Sequence, residues 1–147
     1  MDYRQNLIED DAAIGELIRS ARRVAVLGIK TEAQADQPSY YVPAYLKSAG
    51  VDLVPVPVYY PEAVEILGVP VERKLAEIPG PVDILDVFRR PADLPKHLEE
   101  MKALAPRAVW FQLGIRNDEV AKALAQAGIK VVQDRCLMVE WKRHRGP

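Results

Sequence analysis

Cysteine and histidine are nearly missing from this chain of 147 residues, which has one cysteine, Cys136, and two histidines, His97 and His144. A lone cysteine closes no internal disulfide, which fits a reducing, cytoplasmic setting. The two histidines, both in polar surroundings, gather too few ligands for a zinc site, so no metal is expected. A surplus of either charge is also missing. Twenty lysines and arginines stand against 21 aspartates and glutamates, a net charge of -1, and such a balance gives no support for a nucleic-acid or membrane partner. No apolar run is long enough to span a bilayer. The polar opening, Met1 to Asn6, leads into no apolar run, so no secretion signal is expected either. Repeats and low-complexity linkers are absent. The length fits one domain over residues 1–147, with 1–10 and 143–147 expected to be frayed.

What is present is an alternation of short apolar runs and amphipathic stretches. Strand one, Val24 to Leu27, is apolar on both faces, as a central parallel strand covered by helices should be. It ends at Gly28. A loop runs to Pro38, and a helix follows from Ser39 to Ser48, with Val42, Tyr45, Leu46 and Ala49 on one face. Pro43 falls in its first turn and Gly50 just past its end. Strand two is Val51 to Val56. Glu62 to Leu67 reads as a short helical turn, and Gly68 to Val71 as an edge strand three that tolerates Pro70. Lys74 to Ile78 reads as a short helix. Strands four, five and six are Val82 to Phe88, Ala108 to Leu113 and Ile129 to Val132. Further helices are expected from a cap at Asp11, from Asp93, from a cap at Asn117 and over Leu137 to Trp141. This pattern predicts an α/β fold, a three-layer doubly wound parallel sheet of Rossmann type with strand order 3-2-1-4-5-6. A crevice should open between strands one and four, at the carboxyl ends where the order reverses.

The opening unit of strand, glycine, loop and helix points to an anion, because a helix N-terminus offers free N–H groups and the positive end of its dipole. A nicotinamide or flavin dinucleotide is the default for such a sheet. Its fingerprint needs three glycines in six residues, and only Gly28 is here. It also needs an acid after strand two for the ribose hydroxyls, where this chain has Val56-Pro57-Val58. A ligand with phosphates and no free ribose diol fits better. Coenzyme A, phosphorylated on its ribose 3′-hydroxyl, is such a ligand.

Five segments carry a resemblance: Val-Ala-Val-Leu-Gly (24–28), Pro-Ser-Tyr-Tyr-Val (38–42), Val-Asp-Ile-Leu-Asp-Val-Phe-Arg-Arg (82–90), Val-Trp-Phe-Gln-Leu-Gly-Ile (109–115) and Asp-Arg-Cys (134–136). Together they resemble the small stand-alone CoA-binding proteins, which are similar to the CoA-binding domain of the succinyl-CoA synthetase α subunit. The resemblance covers about Asp11 to Lys142. The family commonly carries Pro-Val-Asn-Pro after strand two, and this chain has Pro-Val-Pro-Val at 55–58. The resemblance implies that Gly28, Ile29, Lys30 and Thr31, with Ser39 and Tyr40, meet the phosphates. It implies that Val58 meets the adenine end, and that Phe88, Arg89, Arg90, Gln112, Gly114 and Ile115 line the pantetheine side.

Several of these residues have a plainer reading. Ser39 could be a helix cap only, and Lys30 a solvated lysine. One of Arg89 and Arg90 could pair with Asp86 or Asp93 while the other contacts ligand. Tyr40, Tyr41, Tyr59 and Tyr60 could be partly buried core. Gln112 could satisfy backbone groups in the sheet, and Cys136 could be an inert buried thiol. The expected function is non-catalytic binding of coenzyme A or an acyl-CoA. A synthetase needs a phosphate-carrying histidine and an ATP-binding partner domain, and the sequence offers neither. The alternatives are an NAD(P)-dependent enzyme or redox sensor, and an accessory module of an acyl-CoA enzyme with a protein partner.

Overall fold

A computed structural model describes residues 2–146 and gives an α/β fold with five parallel strands in one sheet. The strands are β1 (Arg23–Leu27), β2 (Asp52–Val56), β5 (Ile84–Val87), β6 (Ala108–Phe111) and β7 (Lys130–Val132), in the order β2-β1-β5-β6-β7. Register pairs Val26 with Pro55 on one side and with Asp86 on the other, so β1 lies between β2 and β5. The sheet order reverses between β1 and β5. This is the expected topology without the expected third strand.

That strand is corrected. Gly68 to Val71 contributes only Val69–Pro70 (β4), which pairs antiparallel with Glu65–Ile66 (β3) in a separate two-stranded ribbon. The expected helical turn at 62–67 is thus partly strand. Leu67 and Gly68, both at positive φ, make the tight connection that closes the ribbon. Just past β4, the Glu72 N–H donates to the Pro55 carbonyl at 2.9 Å, so one backbone bond ties the ribbon's end to the edge strand β2.

Five α-helices cover the sheet. On one face α1 (Asp11–Ser20), α2 (Pro38–Ser48) and α5 (Leu137–Arg145) pack Ile14, Ile18, Leu46 and Trp141 over Val24, Val26, Ile84 and Trp110. On the other face α3 (Leu98–Leu104) and α4 (Asp118–Gln126) pack Met101 and Leu124 over Ala25, Leu85, Val87 and Phe111. Strand alternation sends Trp110 into one layer and Phe111 into the other, both fully buried. Burying a side chain such as Phe111 contributes about 1.5–3 kcal/mol.

The helix ends follow capping chemistry, with three corrections. Asp10, not Asp11, caps α1, accepting from the Ala13 N–H at 3.1 Å. The cap position of α2 is Gln37, with Pro38 in the first turn, where its missing N–H costs little. The helix expected from Asp93 begins as a 3-10 stretch, Pro91–His97, because Pro95 has no N–H to donate, and turns α-helical at Leu98. Asn117 caps α4 as expected, accepting from the Val120 N–H.

The ends that were expected to fray are packed. Asn6 is buried and donates to the Ala125 carbonyl, and the Ile8 N–H donates to the Val131 carbonyl. The last helix continues past Trp141 to Arg145, whose guanidinium donates to the carbonyls of Ile18 and Ala21. Of the segments expected to fray, Met1 and Pro147 lie outside the described residues. No helix among those described is long and apolar enough to cross a membrane.

Candidate functional site

Gly28 sets the height of the cleft floor. It leaves β1 at φ +86°, and a Cβ placed there would lie 2.3 Å from the Phe88 carbonyl oxygen. The loops after β1 and β5 therefore touch only because this residue has no side chain. Above this contact is a cleft of about 490 Å³ between the first turn of α2, the loop after β5 and the loop after β6.

Three cations line it, Lys30, Arg89 and Arg90, and no carboxylate does. Ser39, Phe88, Gln112, Gly114 and Ile115 line it as well, so eight of the thirteen expected site residues come together. Gln37, Pro38, Tyr41, Pro91, Leu113 and Cys136 complete the wall. A larger cavity, about 700 Å³, lies between the N-terminal segment and α4, and mixes Glu9, Asp118 and Asp134 with Arg116, Lys122 and Arg135. Its mixed signs give no preference for an anion. The smaller cleft has that preference, and it sits where the strand order reverses.

The other five expected residues do not line the cleft. Gly28 is under its floor. The Ile29 side chain is fully buried in the core. Thr31 is turned to Gln34, whose Oε1 accepts from both the Thr31 N–H (3.1 Å) and its hydroxyl (2.7 Å). Val58 packs against the core layer below α3. Tyr40 packs against the other layer, and Tyr41 takes the cleft position instead. The reason is helical phase. Ser39, Val42, Pro43 and Leu46 form the buried stripe of α2, so Tyr41 falls on the outward side.

Ser39 is not the helix cap. It stands one residue inside α2, is 6% exposed, and its backbone carbonyl accepts from the Lys30 N–H at 3.1 Å. That bond closes the loop after β1 onto the start of α2. The Lys30 ammonium bonds the Gln37 side chain, a neutral partner that leaves its charge uncompensated.

The two arginines share one anchor, the buried Asp93. Arg90 Nε donates to Asp93 Oδ2 at 3.0 Å, Lys96 to Oδ1 at 3.1 Å, and Arg89 Nη2 lies 3.6 Å from Oδ2. The bonds from Arg90 and then Lys96 hold the Asp93 carboxyl down to about 2. Arg89 is further fixed. Its Nε donates to His97 Nε2 at 3.2 Å, and His97 Nδ1 lies 2.6 Å from Glu100. Its Nη1 donates to the Tyr59 hydroxyl at 3.3 Å, and that bond lowers the phenol below its usual range. The division of one ligand arginine and one structural arginine is corrected, since both pair with Asp93 and both line the cleft. They differ in freedom, because Arg89 is 9% exposed and Arg90 is 81% exposed.

Asp86, the other partner considered, is fully buried in β5 with both oxygens unbonded, and desolvation raises its carboxyl well above the ordinary range. Gln112 is buried, and its Oε1 accepts from the Leu137 N–H at 3.0 Å, the first donor of α5. Its NH₂ is what it has left to offer a ligand. Cys136, expected to be buried, is half-buried and lines the cleft.

Comparisons with known proteins agree with this picture. The chain is 35% identical over 128 residues to the uncharacterized protein YneT of Bacillus subtilis, covering 87% of this chain and 91% of that one. The structure of cell-free ID.343 from Thermus thermophilus superposes with a TM-score of 0.84 at 43% identity, over 92% of this chain and 99% of the other. A hypothetical protein from Pyrococcus horikoshii OT3 gives 0.82 at 28% identity, over 94% of each. The sequence profile of the CoA binding domain matches residues 22–142, a span that holds every residue of the cleft. A Rossmann-like parallel sheet, a cleft lined by three cations at its switch point and a profile match over most of its length accompany one conclusion: this chain belongs to the CoA-binding domain family.

Proposed function

We propose that the protein binds free coenzyme A or an acyl-CoA in this cleft and carries out no reaction on it. One observation supports the reading above the rest: Lys30, Arg89 and Arg90 meet the start of α2 around a cleft wall with no carboxylate. Phosphates suit such a wall, since charge-assisted bonds and helix N–H groups add there. The end of β2, with Val56, Pro57 and Val58, offers no acid to a ribose diol. Phe88, Leu113 and Ile115 offer apolar surface to a pantetheine arm. The absence of catalysis is supported by what the histidines do. His97 is engaged by Arg89 and Glu100, and His144 lies on α5 toward the far end from the cleft.

A thermal-shift series with coenzyme A, acetyl-CoA, NAD, NADP and ATP tests the reading. A ligand that binds only the native state raises the melting temperature by mass action. Coenzyme A or acetyl-CoA should raise it and NAD at equal concentration should not. A larger shift with NAD would transfer the site to the dinucleotide alternative. Acetyl-CoA should be recovered unhydrolysed after long incubation, and release of acetate at a rate tied to the protein would make it an enzyme.

A further inference from the structure

A second cluster lies away from the cleft, where α1 crosses α5. Glu140 and His144 are four residues apart on α5 and so share one face of the helix. Asp11, in the first turn of α1, faces them. His144 Nε2 lies 3.4 Å from Asp11 Oδ1 and 3.7 Å from Glu140 Oε1, and one ligand atom from each residue falls within 4.8 Å of the others. The His144 side chain is 10% exposed and that of Glu140 9%, yet His144 Nε2 is buried with no hydrogen-bond partner. A ring nitrogen aimed at two carboxylates without bonding either is costly unless something sits between them. The ring is also seated firmly. A Cβ on Gly15 would lie 2.6 Å from His144 Nδ1, so the bare backbone of α1 is what admits the imidazole.

The charged groups around the imidazole are the two carboxylates, Arg143, and Arg19, whose Nη1 shares with His144 Nδ1 the space above Gly15. Arg143 Nη1 lies 3.0 Å from Asp11 Oδ1 and 2.6 Å from Glu140 Oε1. Its side chain is half exposed, and it occupies the place of a cation between two anions. We propose that Asp11, Glu140 and His144 form a site for a divalent first-row metal ion, with zinc the best fit, and that Arg143 is its competitor, swinging into solvent when the ion enters. One imidazole and two carboxylates suit zinc, water taking the fourth position. Ligand atoms around such an ion sit about 3.3–3.6 Å apart for bonds of about 2.0–2.2 Å. The separation from Asp11 falls in that range, and the one from Glu140 exceeds it by 0.1 Å. The sequence set metals aside because it counted histidines, and only the fold brings Asp11 to residues 129 and 133 positions further along. The ion would pin α1 to α5.

The test is calorimetric titration of the metal-free protein with zinc chloride, with a parallel cobalt(II) titration read by visible absorption. The wild type should bind one ion, and cobalt should give the strong bands of a tetrahedral site without an intense thiolate charge-transfer band. Asp11→Asn keeps the Asp10 cap and the fold. It should weaken zinc by about the tenfold to hundredfold that loss of even a metal's outer-shell partner costs. His144→Gln should do at least as much. Arg143→Gln should tighten binding, a change that an ion-pair network alone has no means to produce. Cys136→Ser should leave zinc affinity unchanged. A lack of one-to-one binding would overturn the site, as would loss of binding in Cys136→Ser, or equal affinity in wild type and Asp11→Asn.

Discussion

The two loops that meet at the switch point are built by different means. The loop after β1 is held by hydrogen bonds without an ion pair, Thr31 to Gln34, Lys30 to Gln37, the Leu67 N–H to Glu32, and the Lys30 N–H to the Ser39 carbonyl. The loop after β5 is held by charge, with Arg89, Arg90 and Lys96 converging on Asp93 and His97 bracing Arg89 from behind. The first loop keeps a lysine charge and the Ser39 N–H for a ligand, since Pro38 has no N–H and those of Tyr40 and Tyr41 donate to the Gln37 carbonyl. The second has part of its charge neutralised before any ligand arrives, and gains a fixed guanidinium in return. Binding to the first loop draws on backbone geometry, and binding to the second on a pre-positioned side chain, whose ordering entropy is spent at folding.

The largest effect should come from breaking the point where the loops touch. Gly28→Ala places a Cβ against the Phe88 carbonyl at positive φ. Backbone must move on both sides, so the loss of stability should exceed about 3 kcal/mol in denaturant titration. A loss of no more than about 1–2 kcal/mol, the cost of a Cβ in the left-handed region without a clash, would mean that the loops are independent.

The charged loop is tested next. Arg89→Ala should weaken coenzyme A by about 1.5–3 kcal/mol, the range for hydrogen bonds to charged groups. Arg90→Ala should weaken it less, since its exposed side chain must be ordered on binding. Calorimetry on both variants checks this, and equal losses would remove the distinction between the fixed and the mobile arginine. On the loop after β1, Ser39→Ala deletes a buried hydroxyl facing the cleft and should cost about 0.5–1.5 kcal/mol of coenzyme A affinity with the melting temperature nearly unchanged. Unchanged affinity would leave that loop with its backbone alone.

The smallest effect is the response to acid. The Asp93 carboxyl is depressed from 3.8 to about 2. A depressed acid stabilises the fold above its unfolded value and loses that contribution as the pH falls through the folded one. Wild type should therefore lose stability between about pH 4 and pH 2 more steeply than Asp93→Asn. Parallel pH profiles of the two would mean that Asp93 is not what anchors the loop after β5.

Much of this was legible in the sequence. Apolar runs bounded by glycine and proline marked all five strands of the sheet, and the missing acid after β2 pointed away from a dinucleotide. The misses have physical causes. Gly68 to Val71 has strand composition, but Leu67 and Gly68 turn the chain back on itself before it can join the sheet. The expected division of one pairing and one ligand-facing arginine does not hold, because β5 ends at Val87 and strand alternation no longer separates Arg89 from Arg90. Asp93 as a common anchor follows from the 3-10 turn that brings it back under both arginines, a geometry set by Pro91 and Pro95 together. Tyr41 replaced Tyr40 because the buried stripe of α2 is Ser39, Val42, Pro43 and Leu46, rotated from the face of Val42, Tyr45, Leu46 and Ala49 read from the sequence.

Asp86 stands directly below the cleft, in register with Val26 and Trp110 and in contact with no solvent. Desolvation there favours the protonated acid, and in that form its carbonyl absorbs infrared light apart from every ionised carboxylate in the molecule. The protein thus carries its own vibrational probe two residues before Phe88. Isotope-edited difference spectra would report through that single carbonyl on the field that a multiply charged ligand imposes from above, with no label attached to the ligand.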